Sequence, residues 1–234
     1  MKEHILSFDY TRPQLIRQGA ATWLAQKNWN WEHFRAMRTS LAPMGEGVTG
    51  NSTRLAVGQY VERILQHPPV KEKRYLSGWR FYEEHHQMLM DFEEPFFSYG
   101  DRLLNIPSHI LKPLLWIFIG NTGTGTSLHY DVLQTHAWIA IIEGVKRIVL
   151  HPPQNQAPLR AVCSTGWGNN DDPWLNFTLT KGDLFFIPSG WWHEVVNESP
   201  GIALTRNFVT ADIVECVHNA AYCSGYTRLL QWLE

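Results

Sequence analysis

Thr126-Ser127-Leu128-His129-Tyr130-Asp131 and, further on, Trp191-Trp192-His193 decide how this sequence is read. Along a strand, side chains two apart share a face, so His129 and Asp131 would present an imidazole nitrogen and a carboxylate oxygen to one point. That is half of a metal site. His193 follows the Pro188-Ser189-Gly190 turn at the mouth of another strand and is the natural third ligand. Two imidazoles and one carboxylate on one side of a metal make a facial triad, which leaves coordination positions open for oxygen and a chelating co-substrate. A His-x-Asp triplet by itself reads more readily as a hydrogen-bonded core pair, and the context reverses that: a matching His193, a lysine downstream and Thr126 three residues upstream.

Working outward, the flanking residues read as short strands. Residues 135–142 and 145–150 are two apolar runs joined by Glu143-Gly144, which predicts a hairpin. Residues 184–188, 193–197 and 201–208 are three more, divided by Ser189-Gly190 and Glu198-Ser199-Pro200, and 114–120 is a continuous apolar run of strand length. Seven or eight such strands suggest the double-sheet jelly roll of cupins, with the metal at one open end. Ahead of them, residues 13–17 read as a strand, and Asn30 caps a helix carrying Trp31, Phe34 and Met37. A second helix is predicted over 56–65, where Val57, Tyr60, Val61 and Ile64 repeat until His67-Pro68-Pro69. After Thr210, Ile213, Val214, Val217, Ala220 and Ala221, then Leu229, Leu230, Trp232 and Leu233, predict two short helices. The expected class is mainly β with flanking helices, a double-stranded β-helix with an N-terminal α/β lead-in. Its expected division is a scaffold over 1–97, a jelly-roll core over 98–209 and C-terminal helices over 210–234.

Length and composition fit one globular domain: 234 residues, 44% hydrophobic and 13% aromatic, are enough for a sizeable core and exclude disorder. A net charge of -2, with only the short Lys71-Glu72-Lys73-Arg74 patch, disfavours a nucleic-acid partner. Cys163, Cys216 and Cys223 make neither a disulfide framework nor a zinc ribbon, which suits a reducing cytoplasm. The first residues have no apolar leader core and no stretch reaches the roughly 20 apolar residues of a membrane span, so a soluble, cytoplasmic protein is expected.

His129-Tyr130-Asp131, the segment from Glu143-Gly144-Val145-Lys146 to His151-Pro152-Pro153, and Gly182-Asp183-Leu184-Phe185-Phe186-Ile187-Pro188-Ser189-Gly190-Trp191-Trp192-His193 together resemble the JmjC family of iron(II) and 2-oxoglutarate dependent oxygenases. Within it, the chain is most similar to the compact hydroxylase branch that includes the asparaginyl hydroxylase inhibiting the hypoxia-inducible factor. The resemblance implies iron(II) held by His129, Asp131 and His193, with 2-oxoglutarate and O2 as co-substrates. It also implies a lysine for the distal carboxylate of the keto acid. The residues leave Lys146 and Arg147 open, since they face opposite sides of one strand; only the family pattern selects Lys146. Thr126 and Tyr75 match the hydroxyl donors to the same carboxylate. Thr205 and Asn207, two apart, match polar positions of the last core strand, beside the co-substrate and the metal-bound water. The chain departs from close relatives at Ile139, where they often carry Asn.

The implied reaction is oxidative decarboxylation to succinate and carbon dioxide coupled to hydroxylation of a C–H bond. Compactness favours a protein or peptide side chain as substrate. A small metabolite, tRNA or N-methyl demethylation are the alternatives. The 151–179 connection, with Trp167, Asn169-Asn170-Asp171-Asp172 and Trp174, is a candidate lid, although a solvated loop fits its acidic cluster better. His136 is a candidate outer contact to the site or a packing residue, whereas His33, His67 and His85-His86 read as surface residues. The C-terminal helices are a candidate homodimer contact by the same resemblance. Two rival classes stand beside the oxygenase: a zinc or manganese cupin, in which Lys146 has no keto-acid partner, and a silent binding module, against which the intact triad argues.

Overall fold

The computed structural model describes residues 8–45, 53–66, 74–153 and 174–233. The strands are β1 (Gln14–Ile16), β2 (Leu41–Gly45), β3 (Thr53–Ala56), β4 (Tyr75–Trp79), β5 (Leu115–Gly120), β6 (Gly125–His129), β7 (His136–Glu143), β8 (Val145–His151), β9 (Leu175–Thr180), β10 (Leu184–Ile187), β11 (Trp192–Asn197) and β12 (Gly201–Phe208). The α-helices are α1 (Ala25–Asn28), α2 (Trp31–Arg35), α3 (Val57–Gln66) and α4 (Val214–Cys223). All strand pairs are antiparallel, in a large sheet β1-β10-β7-β12-β5-β4-β2-β3 and a small one β6-β11-β8-β9. Four strands of the large sheet, β10-β7-β12-β5, oppose the small sheet and make the jelly roll. The strands from the N-terminal third extend the same large sheet at both ends.

Alternation along the strands sorts the apolar residues into layers. On β5, Leu115, Ile117 and Ile119 face outward and pack with Trp138, Ala140 and Ile142 of β7 against Trp23, Trp29, Phe34, Tyr60 and Phe81 of the lead-in. On the other face of β7, Ala137, Ile139 and Ile141 pack with Ile148, Leu150, Phe185 and Trp191 between the sheets. Strand β7 is thus buried on both faces, which explains its unbroken apolar run. A third cluster joins Val217 and Ala221 of α4 and Leu229 and Leu233 to Ile106, Leu133 and Val209 at one end of the barrel. Each large side chain so buried contributes about 1.5–3 kcal/mol.

Several expectations meet their elements closely. Asn30 caps α2, its side chain accepting from the His33 amide at 3.0 Å, although the helix ends at Arg35 and Met37 lies beyond it. Helix α3 occupies 57–66, and the His67-Pro68-Pro69 stop lies outside the described residues. After Thr210, α4 and a 3-10 turn over Thr227–Trp232 take the place of the two helices.

Others are corrected. Residues 136–143 and 145–151 are not a hairpin: β7 pairs with β10 and β12, β8 with β9 and β11, in different sheets. The joint is a corner at Gly144 (φ 81°), where an added Cβ would strike the Pro200 carbonyl and Gly201. The end of the 151–179 connection is not loop, because Leu175–Thr180 forms β9 along β8. Trp167 and 169–172 lie outside the described residues, as does Cys163, while Trp174 packs edge-on against His151 with centroids 4.8 Å apart. His85 is half-buried and bonded to the Ser40 hydroxyl at 2.6 Å, and His33 is half-buried too, so neither is a plain surface residue.

Candidate metal centre

Strand β11 organises the site. His193, near its start, lies directly opposite His129 of β6, and Asn197, at its end, lies opposite Lys146 of β8. Register between β6 and β11 slips once, so that Thr126 faces Val195 while His129 faces His193. This bulge has a consequence for the motif. Residues three apart on a regular strand point to opposite faces, yet the inserted residue turns Thr126 and His129 into the same cavity. Asp131 stands beyond the strand, not on it: β6 stops at His129 and Asp131 leads into a 3-10 turn. Two residues further on, Leu133 and Gln134 both take positive φ (55° and 54°), where the chain turns between β6 and β7.

His129, Asp131 and His193 each offer one ligand atom, and these lie within 4.8 Å of one another. Both imidazoles are held in one tautomer. His129 Nδ1 donates to the Ser127 carbonyl at 2.8 Å and His193 Nδ1 to the Trp191 carbonyl at 3.1 Å, leaving the Nε2 lone pairs for the centre. Burial of His193, and then repulsion from His129, bring its pKa down to about 4, so the ring is neutral and able to ligate. Asp131 Oδ2 is buried without a hydrogen-bond partner among the described residues, 4.0 Å from His193 Nε2. A buried carboxylate oxygen left bare is costly, and a cation at this point removes the cost. Two neutral nitrogens and one carboxylate fit a divalent metal such as iron(II).

A cavity of about 580 Å³ opens on these three residues. Thr126, Tyr75, Thr205 and Asn207 line it as well. Lys146 is fully buried beneath it, donating to the Tyr75 hydroxyl at 3.2 Å and to Asn197 Oδ1. Arg147 points out to Glu198 at 3.1 Å, so of the two basic residues Lys146 is the one turned inward. Burial alone brings the Lys146 ammonium down to about 7, and burial drives the Tyr75 phenol up from its ordinary value. Asn207 Nδ2 donates to Thr135 Oγ1 at 2.8 Å, and Ile139 occupies cavity wall opposite Thr205.

Among the histidines outside the triad, His136 is a framework residue away from the cavity. It is buried among Tyr10, Phe186 and Phe208, accepts from the Ser189 amide at 2.9 Å and meets Asp212 at 3.4 Å. Sequence reasoning missed Asn197, and also Ser77, Trp116 and Phe118, which form the outer cavity wall. The signal for the wall was the alternation within Leu115–Gly120: the outward core takes 115, 117 and 119, leaving 116 and 118 to face inward.

The sequence pattern of the JmjC domain matches residues 93–215. The chain belongs to the JmjC domain family. The JmjC match spans the residues from Glu93 into α4 and includes the whole triad. Among curated relatives, the chain is 26% identical to the bifunctional arginine demethylase and lysyl-hydroxylase psr-1 of Caenorhabditis elegans, over 89% of its own length. It is 30% identical to the arginine-specific demethylase JMJ22 of Arabidopsis thaliana over 58% of its length. It is 29% identical to the 2-oxoglutarate and iron-dependent oxygenase JMJD4 of Gallus gallus over 40%. The chain spans 59% of psr-1, 31% of JMJ22 and 26% of JMJD4.

Proposed function

We propose that this JmjC chain is an iron(II) and 2-oxoglutarate dependent oxygenase that hydroxylates a C–H bond on a protein or peptide side chain. The observation that carries the reading is the pairing of two sites along β11: a bare carboxylate with two neutral imidazoles at one end, and a buried lysine at the other. Iron(II) with 2-oxoglutarate and O2 supplies the oxidising chemistry, releasing succinate and carbon dioxide. His129, Asp131 and His193 hold the metal. Lys146 pairs with the distal carboxylate of the keto acid, and the Tyr75 and Thr126 hydroxyls complete its hydrogen bonds. Thr205 and Asn207 border the co-substrate, with Ile139 leaving one wall apolar. Trp116 and Phe118 keep water from the reacting carbon and form the approach for the substrate.

The relatives named for arginine and lysine residues support a protein substrate. Demethylation is the same reaction, because hydroxylation of an N-methyl carbon gives an N-hydroxymethyl group whose C–N bond then breaks, releasing formaldehyde and leaving N–H. A zinc or manganese cupin has no use for a fully buried lysine bonded to the Tyr75 hydroxyl beside the cavity. The test is succinate release from 2-oxoglutarate, with and without peptide substrates, by the iron-loaded protein and His193→Ala. The reading expects iron-dependent succinate that the substitution abolishes; succinate at equal rate from the variant contradicts it.

Cytoplasmic placement and a homodimer belong to the same proposal. Among the described residues, no helix is long and apolar enough to cross a membrane. For the dimer, Val217, Leu229 and Leu233 are committed to the chain's own third cluster, and Tyr222 and Tyr226 are the exposed aromatics left for a partner. Sedimentation of a Tyr222→Ser, Tyr226→Ser variant tests it, with a shift to monomer expected.

A further inference from the structure

Lys146 is a fully buried cation whose hydrogen-bond partners are two neutral oxygens, Tyr75 OH and Asn197 Oδ1. The ammonium also lies 5.4 Å from the centroid of the Tyr75 ring, so Tyr75 and Asn197 together hold a long, flexible side chain in place. Asn197 is itself fully buried and tied on every side. Its amide donates to the Thr124 carbonyl at 2.8 Å, its carbonyl accepts from Gly123 at 2.8 Å, and its Nδ2 donates to Thr124 Oγ1 at 2.9 Å. Thr124 Oγ1 in turn donates its own proton to the Asn121 carbonyl at 2.7 Å. That direction matters. With its proton committed, Thr124 Oγ1 can only accept, so the NH2 of Asn197 must face it and the carbonyl oxygen must face Lys146. Packing closes the same cluster: a Cβ at Gly120 would strike Asn197 Nδ2, Thr124 Oγ1 and the Tyr75 ring.

We infer that Asn197, locked by the Asn121–Thr124 turn, is the positioning residue that aims the Lys146 ammonium at the co-substrate. This rests on the oxygenase reading above. An amide suits the role where a carboxylate would not, because an aspartate here would pair with Lys146 and compete with the incoming anion. The residue acts through Lys146 alone, since β11 places it at the opposite end of the strand from His193, roughly 13 Å along the backbone.

The experiment measures binding of 2-oxoglutarate and of oxalate to the Mn(II)-loaded protein by calorimetry, in wild type, Asn197→Ala and Thr124→Val. Oxalate chelates a metal but has no distal carboxylate to reach Lys146. Asn197→Ala is expected to weaken 2-oxoglutarate about 10- to 100-fold while leaving oxalate within about twofold. Thr124→Val, which removes only the lock, is expected to weaken 2-oxoglutarate in the same selective way by a smaller factor, and it serves if Asn197→Ala fails to fold. Steady-state assays should show KM for 2-oxoglutarate raised with kcat nearly kept. Equal 2-oxoglutarate affinity in wild type and a folded variant overturns the inference alone, as does a parallel loss of oxalate binding, which marks a merely structural role. Wild-type protein that binds oxalate but not 2-oxoglutarate overturns the oxygenase reading and this inference with it.

Discussion

At the residue scale, among the described residues, Asp131 Oδ2 is buried with no hydrogen-bond partner and the buried Lys146 ammonium forms no ion pair. For Asp131, the bare Oδ2 costs about 1–3 kcal/mol, so Asp131→Asn is expected to leave the metal-free protein at least as stable, by about 2–4 °C in Tm for each kcal/mol relieved. The same variant should lose the thermal shift that Mn(II) or iron(II) gives wild type. Differential scanning fluorimetry with and without metal checks both; an unchanged metal shift contradicts the ligand assignment. For Lys146, burial brings the free ammonium down to about 7, and a keto acid bound as proposed would take the protonated form. Affinity for 2-oxoglutarate is therefore full below that pKa and falls about tenfold per pH unit above it. Oxalate affinity lacks this dependence. Calorimetry from pH 6 to 9 reads the difference, and a flat 2-oxoglutarate profile contradicts it. The His129–Asp131 pair was legible in the sequence because its spacing is local, and His193 because it follows the Pro188-Ser189-Gly190 turn at the start of another strand. Lys146 was not separable from Arg147, since a strand shows only that the two face opposite ways and not which face is buried.

At the scale of elements, the site depends on how two turns are held against each other. Asp131 lies between the end of β6 and the positive-φ bend at Leu133-Gln134, and His193 follows the turn at Ser189. Ser189 joins them, its hydroxyl donating to the Gln134 carbonyl at 2.5 Å and its amide to His136 Nδ1 at 2.9 Å. Ser189→Ala is expected to weaken metal binding about tenfold, in line with other outer contacts to ligands. Titration with Co(II), followed by its visible bands, checks this; unaltered affinity means the bend is held by Leu133 packing alone. The strand pattern from β10 to β12 was readable because Pro188-Ser189-Gly190 and Glu198-Ser199-Pro200 divide the apolar runs. The β7–β8 corner was not, because Glu143-Gly144 carries the chemistry of a hairpin turn and only the pairing of β7 with β10 and β12 shows the switch of sheets. The β6 bulge is equally silent in sequence, though it explains a threonine three residues before a ligand.

At the scale of the molecule, the lead-in, the jelly roll and the C-terminal helices are bound by shared layers. The lead-in aromatics cover the outer face of the large sheet, and the last helices cover the barrel end beneath Leu133. Truncation after Thr210 is thus expected to unfold that end and abolish metal binding, which circular dichroism with a Co(II) titration would show. A truncated chain that still binds metal normally contradicts the layering. The central claim, that the metal and the lysine serve one bidentate keto acid, is tested most directly by anaerobic titration of the iron(II)-loaded protein with 2-oxoglutarate. The account predicts a visible metal-to-ligand charge-transfer band that saturates in wild type and needs far higher 2-oxoglutarate in Lys146→Ala. Iron-loaded protein with no band, or a band indifferent to the substitution, would contradict it.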